Sequence, residues 1–443
     1  MKYTKRFSLF FLLIACVGFA QEPVSVNKAH LFSLIERIDL NGDSVCVVDI
    51  YSDFPKYAPV EAKGEGFACV DDAARAAVFF MRYNEIFEKT DDEGVIRGLL
   101  KFVLDMQLDD GRFYNFVNRD GNKIVVNENG PTSYGSFGWW AARAMWALGE
   151  GAVYFKHRDP DLYARILSAT RKSMGQVDSV LSSYNRTDSA GYPAWLLYKD
   201  GADASSELVL GLDRLFDATG DRKYLAASEK FCDGMLRLQA GSSTVPPYFA
   251  FLSNHDGWHG WANSQSAALL DYSRISGDTT FRRFALNEIE FFMPRWAGAL
   301  FFRACSSKGD HLDYSGQIAY SIRPALTAVS EAFGITHDPR FKVLAGVVSS
   351  WFFGNNTART TFYFSNTGIC FDGTEDSLRV NKNSGAESTV EALLSMLALK
   401  KMGVEFNEVE RLSRPSFNSD EYDYSIGGKH VTLRLTASGF GVQ

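Results

Sequence analysis

Helices of two alternating kinds, renewed about every sixty residues, constrain this chain more than any other feature of its sequence. From Gly66 onward, apolar residues recur at i, i+3, i+4 and i+7 between breaks of Gly, Pro, Asn and Asp. One kind is rich in small residues: "DDAARAAVFFMRY", "FGWWAARAMWALG", "ASSELVLGLDRLF", "NSQSAALLDYSRI", "GQIAYSIRPALTAVSEAF" and "SGAESTVEALLSMLAL". The other is conventionally amphipathic, as in "GVIRGLLKFVLDMQ" and "PDLYARILSATRKSM". Asp72, Trp139, Ser205, Ser264, Gln317 and Glu387 mark the entrances of the first kind, at intervals of 67, 66, 59, 53 and 70 residues. Such a period holds two helices and two loops, and a repeated helical hairpin buries its apolar face only by stacking on its neighbours. Ala, Ser and Gly let backbones approach, which suits a crowded inner ring, with the bulkier helices outside. The expectation is an all-α chain, a closed toroid of six helical hairpins; an open superhelical array is the alternative.

The flanks read differently. "VCVVDIYSDFP" has the β-branched run of a strand ending before Pro55. "EYDYSIGGKHVTLRLTAS" reads as a β-hairpin turned at Gly427-Gly428 and packed on the outside of the ring. Residues 1–20, "MKYTKRFSLFFLLIACVGFA", have three cations, an apolar core and a small-x-small end, the pattern of a secretory signal peptide. "LIAC" ending at Cys16 also resembles a lipoprotein box, so a lipid-anchored form is the alternative to a secreted or periplasmic one. The expected organisation is a signal peptide at 1–20, a lead-in at 21–65, the toroid at 66–403 and an extension at 404–443. No later segment has the ~20 apolar residues of a membrane helix.

Without that leader the chain carries 43 basic against 53 acidic residues. An acidic balance argues against nucleic acid as a partner, since phosphates demand a basic face. It suits neutral sugars, and polyanions only where a site is locally basic. Cys46, Cys69, Cys232, Cys305 and Cys370 are scattered, without a C-x-x-C, so neither a disulfide framework nor a zinc ribbon is indicated. Buried free thiols are expected, with a Cys46–Cys69 bridge as the alternative.

The segments leading into the small-residue helices carry an unusual mixture: "EAKGEGFACVDD", "NGPTSYGSFGWW", "SAGYPAWLLYKDGADASSE", "FLSNHDGWHGWANSQ", "DHLDYSGQ" and "VNKNSGAE". In a toroid all these entrances open on one face. Trp139, Trp140, Trp195, Trp258 and Trp261 would then surround one cavity with Tyr134, Tyr314, His255, His259, Asp203, Glu207, Asp313 and Asn383. Aromatic faces with acids between them are what a saccharide cleft requires; the plainer alternative is that the aromatics plug the ring. His255 and His259 are spaced i, i+4, but Gly257 intervenes and no Glu follows His255, so the zinc-protease pattern is not met and no metal is expected. No nucleotide-binding glycine loop is present, and no cofactor is expected.

Asp71 and Asp72 stand at the first entrance. Consecutive helical residues point about 100° apart, so the two cannot do the same work. The expectation gives the helix cap to Asp71 and the chemistry to Asp72, with the reverse order or a double capping role as alternatives. A second acid should lie across the cavity, and Glu387, in the first turn of the last inner helix, is placed for it. Ser384 with Glu387 also spells a capping box. Because the first and last helices of a closed ring are neighbours, Asp72 and Glu387 would approach. Glycoside hydrolysis then needs only a proton donor, Glu387, and a carboxylate that activates water, Asp72, about 6.5–9.5 Å apart for inversion. Glu65, Asp203, Glu207, Asp256 and Asp313 are substitutes among the entrance acids. Tyr134, His259, Tyr314 and Arg323 could instead serve a polysaccharide lyase or uronyl epimerase, which removes a proton beside a carboxylate. A non-catalytic glycan-binding protein would keep the aromatics and lack the second acid.

With these residues in place, the alternating hairpins resemble the six-hairpin glycosidase superfamily, whose fold is an (α/α)6 toroid, and distantly resemble glycoside hydrolase family 9. The resemblance implies an inverting hydrolase in which an aspartate pair opens the first inner helix and a glutamate in the last one supplies the acid. By position these are Asp71, Asp72 and Glu387. "ACVDDAARA" is also similar to a "DDNARA" motif of uncharacterised helical toroids encoded beside sugar-processing enzymes.

Overall fold

The computed structural model describes residues 26–61, 63–376, 379–404, 408–413 and 416–443; the expected leader at 1–20, with Cys16, lies outside them. A short helix, α1 (Ala29–Leu34), leads into an antiparallel hairpin of Ile35–Leu40 and Asp43–Val48. Six helices then face the ring axis: α2 (Val70–Ile86), α4 (Trp139–Phe155), α6 (Ala202–Thr219), α8 (Gln265–Ser276), α11 (Ala319–Thr336) and α13 (Ala386–Met402). Outside stand α3 (Glu93–Asp105), α5 (Pro160–Leu181), α7 (Arg222–Leu236), α9 (Thr279–Asn287) continued through a π-helical turn into α10 (Met293–Gly298), and α12 (Arg340–Ser349).

Each inner helix packs on the next, and α13 packs back on α2, so the ring closes. The small residues explain how. Gly149 on α4 and Gly211 on α6 meet so closely that a Cβ on either would strike the other helix's backbone. Ala73, Ala74, Ala76 and Ala77 are all buried along α2. Among the described residues no outer helix follows α13; α1 packs against it instead. The ring therefore has six inner and five outer members among the described residues, where six full hairpins were expected. Gly403, in the left-handed region at φ 63°, ends α13, and the chain turns into strands.

All-α is also too simple. The described residues hold eight small antiparallel sheets, most of them in the connections. At the C-terminus four strands, Val409–Arg411, Glu421–Ile426, Lys429–Thr436 and Gly439–Val442, form a meander rather than a lone hairpin. The turn expected at Gly427-Gly428 is there, both glycines at positive φ, with Ile426 paired to Lys429. All five described cysteines are buried free thiols. No described helix is long and apolar enough to cross a membrane.

Candidate active site

The inner helices begin at one end of the ring, and what they bring there is mainly charge. Cys69 caps α2: its Sγ accepts from the Asp72 amide at 3.5 Å and donates to Asp72 Oδ2 at 3.3 Å. The thiol thus caps the helix through the Asp72 amide and at the same time bonds the Asp72 side chain. Asp71 is therefore not the cap, contrary to the sequence expectation. The helix starts earlier than the acids suggest, and this turns Asp71 toward the next inner helix. There Arg143 Nη1 donates to Asp71 Oδ1 at 2.6 Å and Asn115 Nδ2 to Oδ2 at 3.0 Å.

Asp72 is 2% exposed. Burial pushes its carboxyl up to about 6, with Arg75 opposing and Glu387 and Asp71 adding to the rise. Arg75 Nη2 donates to Asp72 Oδ1 at 2.6 Å, while Nη1 reaches Glu387 Oε2 at 3.1 Å and Glu391 Oε1 at 3.2 Å. One guanidinium thus ties the first inner helix to the last. The network runs on through Arg143 to Glu207 (2.9 Å) and the Tyr320 hydroxyl, and through Arg323 to Glu207 and Glu391, both at 2.7 Å. Arg323 also donates to Ser264, just ahead of α8, so residues of five inner helices and the cap of the sixth are joined across the axis. Burial raises the Glu391 carboxyl, with Arg323 and Arg75 opposing.

Above this plug lies a cavity of about 300 Å³ whose wall includes Asp71, Asp72, Arg75, Arg143, Tyr320 and Glu387. The Glu387 side chain is 43% exposed, against 3% for that of Asp72. Ser384 does not form the expected capping box with Glu387. Its hydroxyl takes the Cys370 amide and pairs with Thr389, while Asp372 receives the Gly385 amide at 2.8 Å and the Ser388 hydroxyl at 2.7 Å. Glu387 is thereby left to the cavity.

The aromatic residues divide. Trp195 is fully buried and donates to Lys230 O, Trp140 donates to Phe113 O, and Trp258 packs among Phe292, Trp296 and Phe302. These three plug the loops, which corrects their expected place in a cleft. Trp139 lies over Arg143 at the rim, Tyr134 is exposed edge-on to Trp140, and Trp261 is exposed over Arg303. Glu207 is fully buried between two arginines, a structural position rather than a sugar-facing one. Asp203 is buried beside His259 Nε2 at 3.1 Å; burial raises its carboxyl and the imidazole opposes. His255 pairs with Asp200 at the surface. Asp313 pairs with Arg303, Tyr314 packs on Phe302, and Asn383 bridges to Asp53 and the Phe54 amide.

Glu65, a substitute among the entrance acids, accepts from Tyr51 and Thr132, and Asp256 is exposed beside His255. The Tyr–His–Arg set for elimination does not assemble, because Arg323 is buried and already faces two carboxylates. Among the described residues no three metal-ligating side chains gather.

Arg75 and Arg143 were the residues missed. "AARA" occurs twice, at Ala73–Ala76 and Ala141–Ala144, each setting an arginine among alanines on a helix too apolar to leave it unpaired.

The fold is similar to that of solved (α/α)6 toroid proteins. A cellobiose 2-epimerase from Bacillus thermoamylovorans superposes with a TM-score of 0.57 at 11% identity, over 84% of this chain and 95% of its own. A D-mannose isomerase gives 0.57 at 10% identity, over 84% and 94%. A metagenome-derived glycoside hydrolase family 9 endoglucanase gives 0.51 at 14% identity, over 85% and 80%. At these identities the likeness is one of fold. No protein-family model matches the sequence, and no curated protein does.

Proposed function

We propose that this chain is a secreted or periplasmic carbohydrate-active enzyme, a glycoside hydrolase that cleaves oligo- or polysaccharide by direct displacement with inversion. The observation that carries this reading is the placing of carboxylates from the first and last inner helices on one cavity at the mouth of the ring. Glu387, the more exposed, is the proton donor to the leaving oxygen. Asp71 is the base: two donors orient its carboxylate, and lone pairs remain for a water. Asp72 is too enclosed to reach substrate and acts as a positioning residue, holding the Arg75 that also holds Glu387. Two bonds to one guanidinium, 2.6 and 3.1 Å long, hold Asp72 and Glu387 to the same Arg75. Trp139, Tyr134 and Trp261 at the rim offer flat faces to sugar rings. Purified wild type should release new reducing ends from a neutral glycan, and Asp71→Asn and Glu387→Gln should lose at least a hundredfold in rate. Full activity in both variants would end the proposal.

A second reading, sugar epimerisation or isomerisation, is favoured by one feature, the His259–Asp203 pair two helices round the ring, and agrees with the fold of the epimerase and isomerase above. It requires a base that takes a proton from carbon. Deuterium from solvent would then enter the product sugar, and His259→Asn would abolish that exchange while leaving glycan length unchanged.

A further inference from the structure

At the mouth end of the ring, away from the axis, the first C-terminal strand (Val409–Arg411) runs past the loop that follows α12. Between them opens a cavity of about 500 Å³ whose wall includes Asn355, Asn356, Arg359, Val409, Glu410 and Arg411. Its two arginines differ from those on the axis. Arg75, Arg143 and Arg323 each face at least two carboxylates. Arg411 has no carboxylate partner among the described residues, and its charged neighbour is another cation, Arg359. Arg411 Nη1 is buried without a hydrogen-bond acceptor, and the Tyr424 hydroxyl near it is buried and unpartnered too. Burial holds Arg411 below the usual arginine value, with Tyr424 opposing and Arg359 lowering it further. Glu410, between Val409 and Arg411 on the strand, also borders the cavity and is exposed to solvent.

Two arginines without a carboxylate partner among the described residues, at one cavity, are costly as they stand, and an anion between them relieves that cost. We propose that this cavity binds an oxyanion, carboxylate or sulfate in type, with Arg411 making the buried contact and Arg359 the contact at the entrance. A guanidinium offers such a group two parallel N–H bonds. The volume exceeds that of a bare ion, so a free anion and an anionic sugar can both enter. The inference is independent of the chemistry on the ring axis.

The test is thermal unfolding and calorimetric titration of the full chain with sodium sulfate and with sodium glucuronate, at ionic strength held constant with sodium chloride and with glucose as the uncharged control. Saturable binding of sulfate or glucuronate, absent for glucose, is expected. Tighter sulfate would mark a free-anion site, and tighter glucuronate a sugar-acid site. Arg359→Ala, at an exposed position, should weaken binding at least tenfold without lowering the unliganded melting temperature. Arg411→Gln should abolish binding and leave the unliganded protein as stable as wild type or more so, since the repulsion and the buried charge go together. Absence of saturable binding to wild type, or equal binding by wild type and Arg359→Ala, would overturn the proposal, and so would an Arg411→Gln chain that still binds.

Discussion

Asp72 turns the electrostatics of the ring into a measurable stability. Its carboxyl lies at about 6 in the folded chain, against a reference of 3.8, chiefly through burial. Between those values the folded state holds a proton that the unfolded chain has released. Stability therefore falls as pH rises through that window, by about 1.4 kcal/mol per pH unit, or about 3 kcal/mol in all. Asp72→Asn keeps the shape and the contact with Arg75 but removes the titration. Arg75 retains Glu387 and Glu391 in that variant, so no bare buried cation results. Urea unfolding of both proteins at half-unit steps from pH 4 to 7.5 isolates the effect, because the other buried acids contribute alike to each. The wild-type-minus-variant difference should drift by about 2.4 kcal/mol against the wild type over that range as pH rises. A difference that stays flat, or that moves the other way, would show that Asp72 is not an enclosed acid held at a cost and would refute the burial argument.

Other expectations follow from packing. Trp195→Ala removes a fully buried indole and should cost about 3–5 kcal/mol in urea unfolding. Trp261→Ala, at the exposed rim, should cost less than about 1 kcal/mol and show instead as a raised KM for glycan. Gly211→Ala drives a methyl into the Met145 backbone and should destabilise by at least about 2 kcal/mol. Gly175→Ala, on the exposed face of α5 with open space around it, should stabilise by about 0.5–1 kcal/mol. Equal effects from the two glycines would undo the account of why the inner helices are small-residue rich.

The ring was legible because its cause is local: alanines at helical spacing, renewed at a fixed interval, dictate close-packed helices wherever they fall in the chain. The turn at Gly427-Gly428 was legible for the same reason, since two adjacent glycines at positive φ suit only a tight hairpin. The direction of the entrance aromatics was not. Trp140 and Trp139 are neighbours in sequence, yet one is plugged into the loop layer and the other lies over Arg143, a choice made by where α4 begins. The directions of Asp71 and Asp72 were not legible for a similar reason. A cysteine is a weak cap by composition, so the start of α2 at Cys69 carried no cue, and a shift in helix start rotates every residue after it. The Arg75–Glu387 and Arg323–Glu207 pairs join residues far apart in sequence, where periodicity places each on the axis but says nothing of its partner.

The central claim is that the carboxylates where the first and last inner helices meet carry out hydrolysis by direct displacement. The most direct measurement is a proton NMR time course of glycan cleavage by the wild-type chain, reading the anomer formed before mutarotation. The account predicts that the first product has the inverted configuration. A first-formed product of retained configuration would require a covalent intermediate and a carboxylate pair only about 5–5.5 Å apart, and a sugar epimerised without any shortening of the chain would move the chemistry off these carboxylates; either would contradict the account.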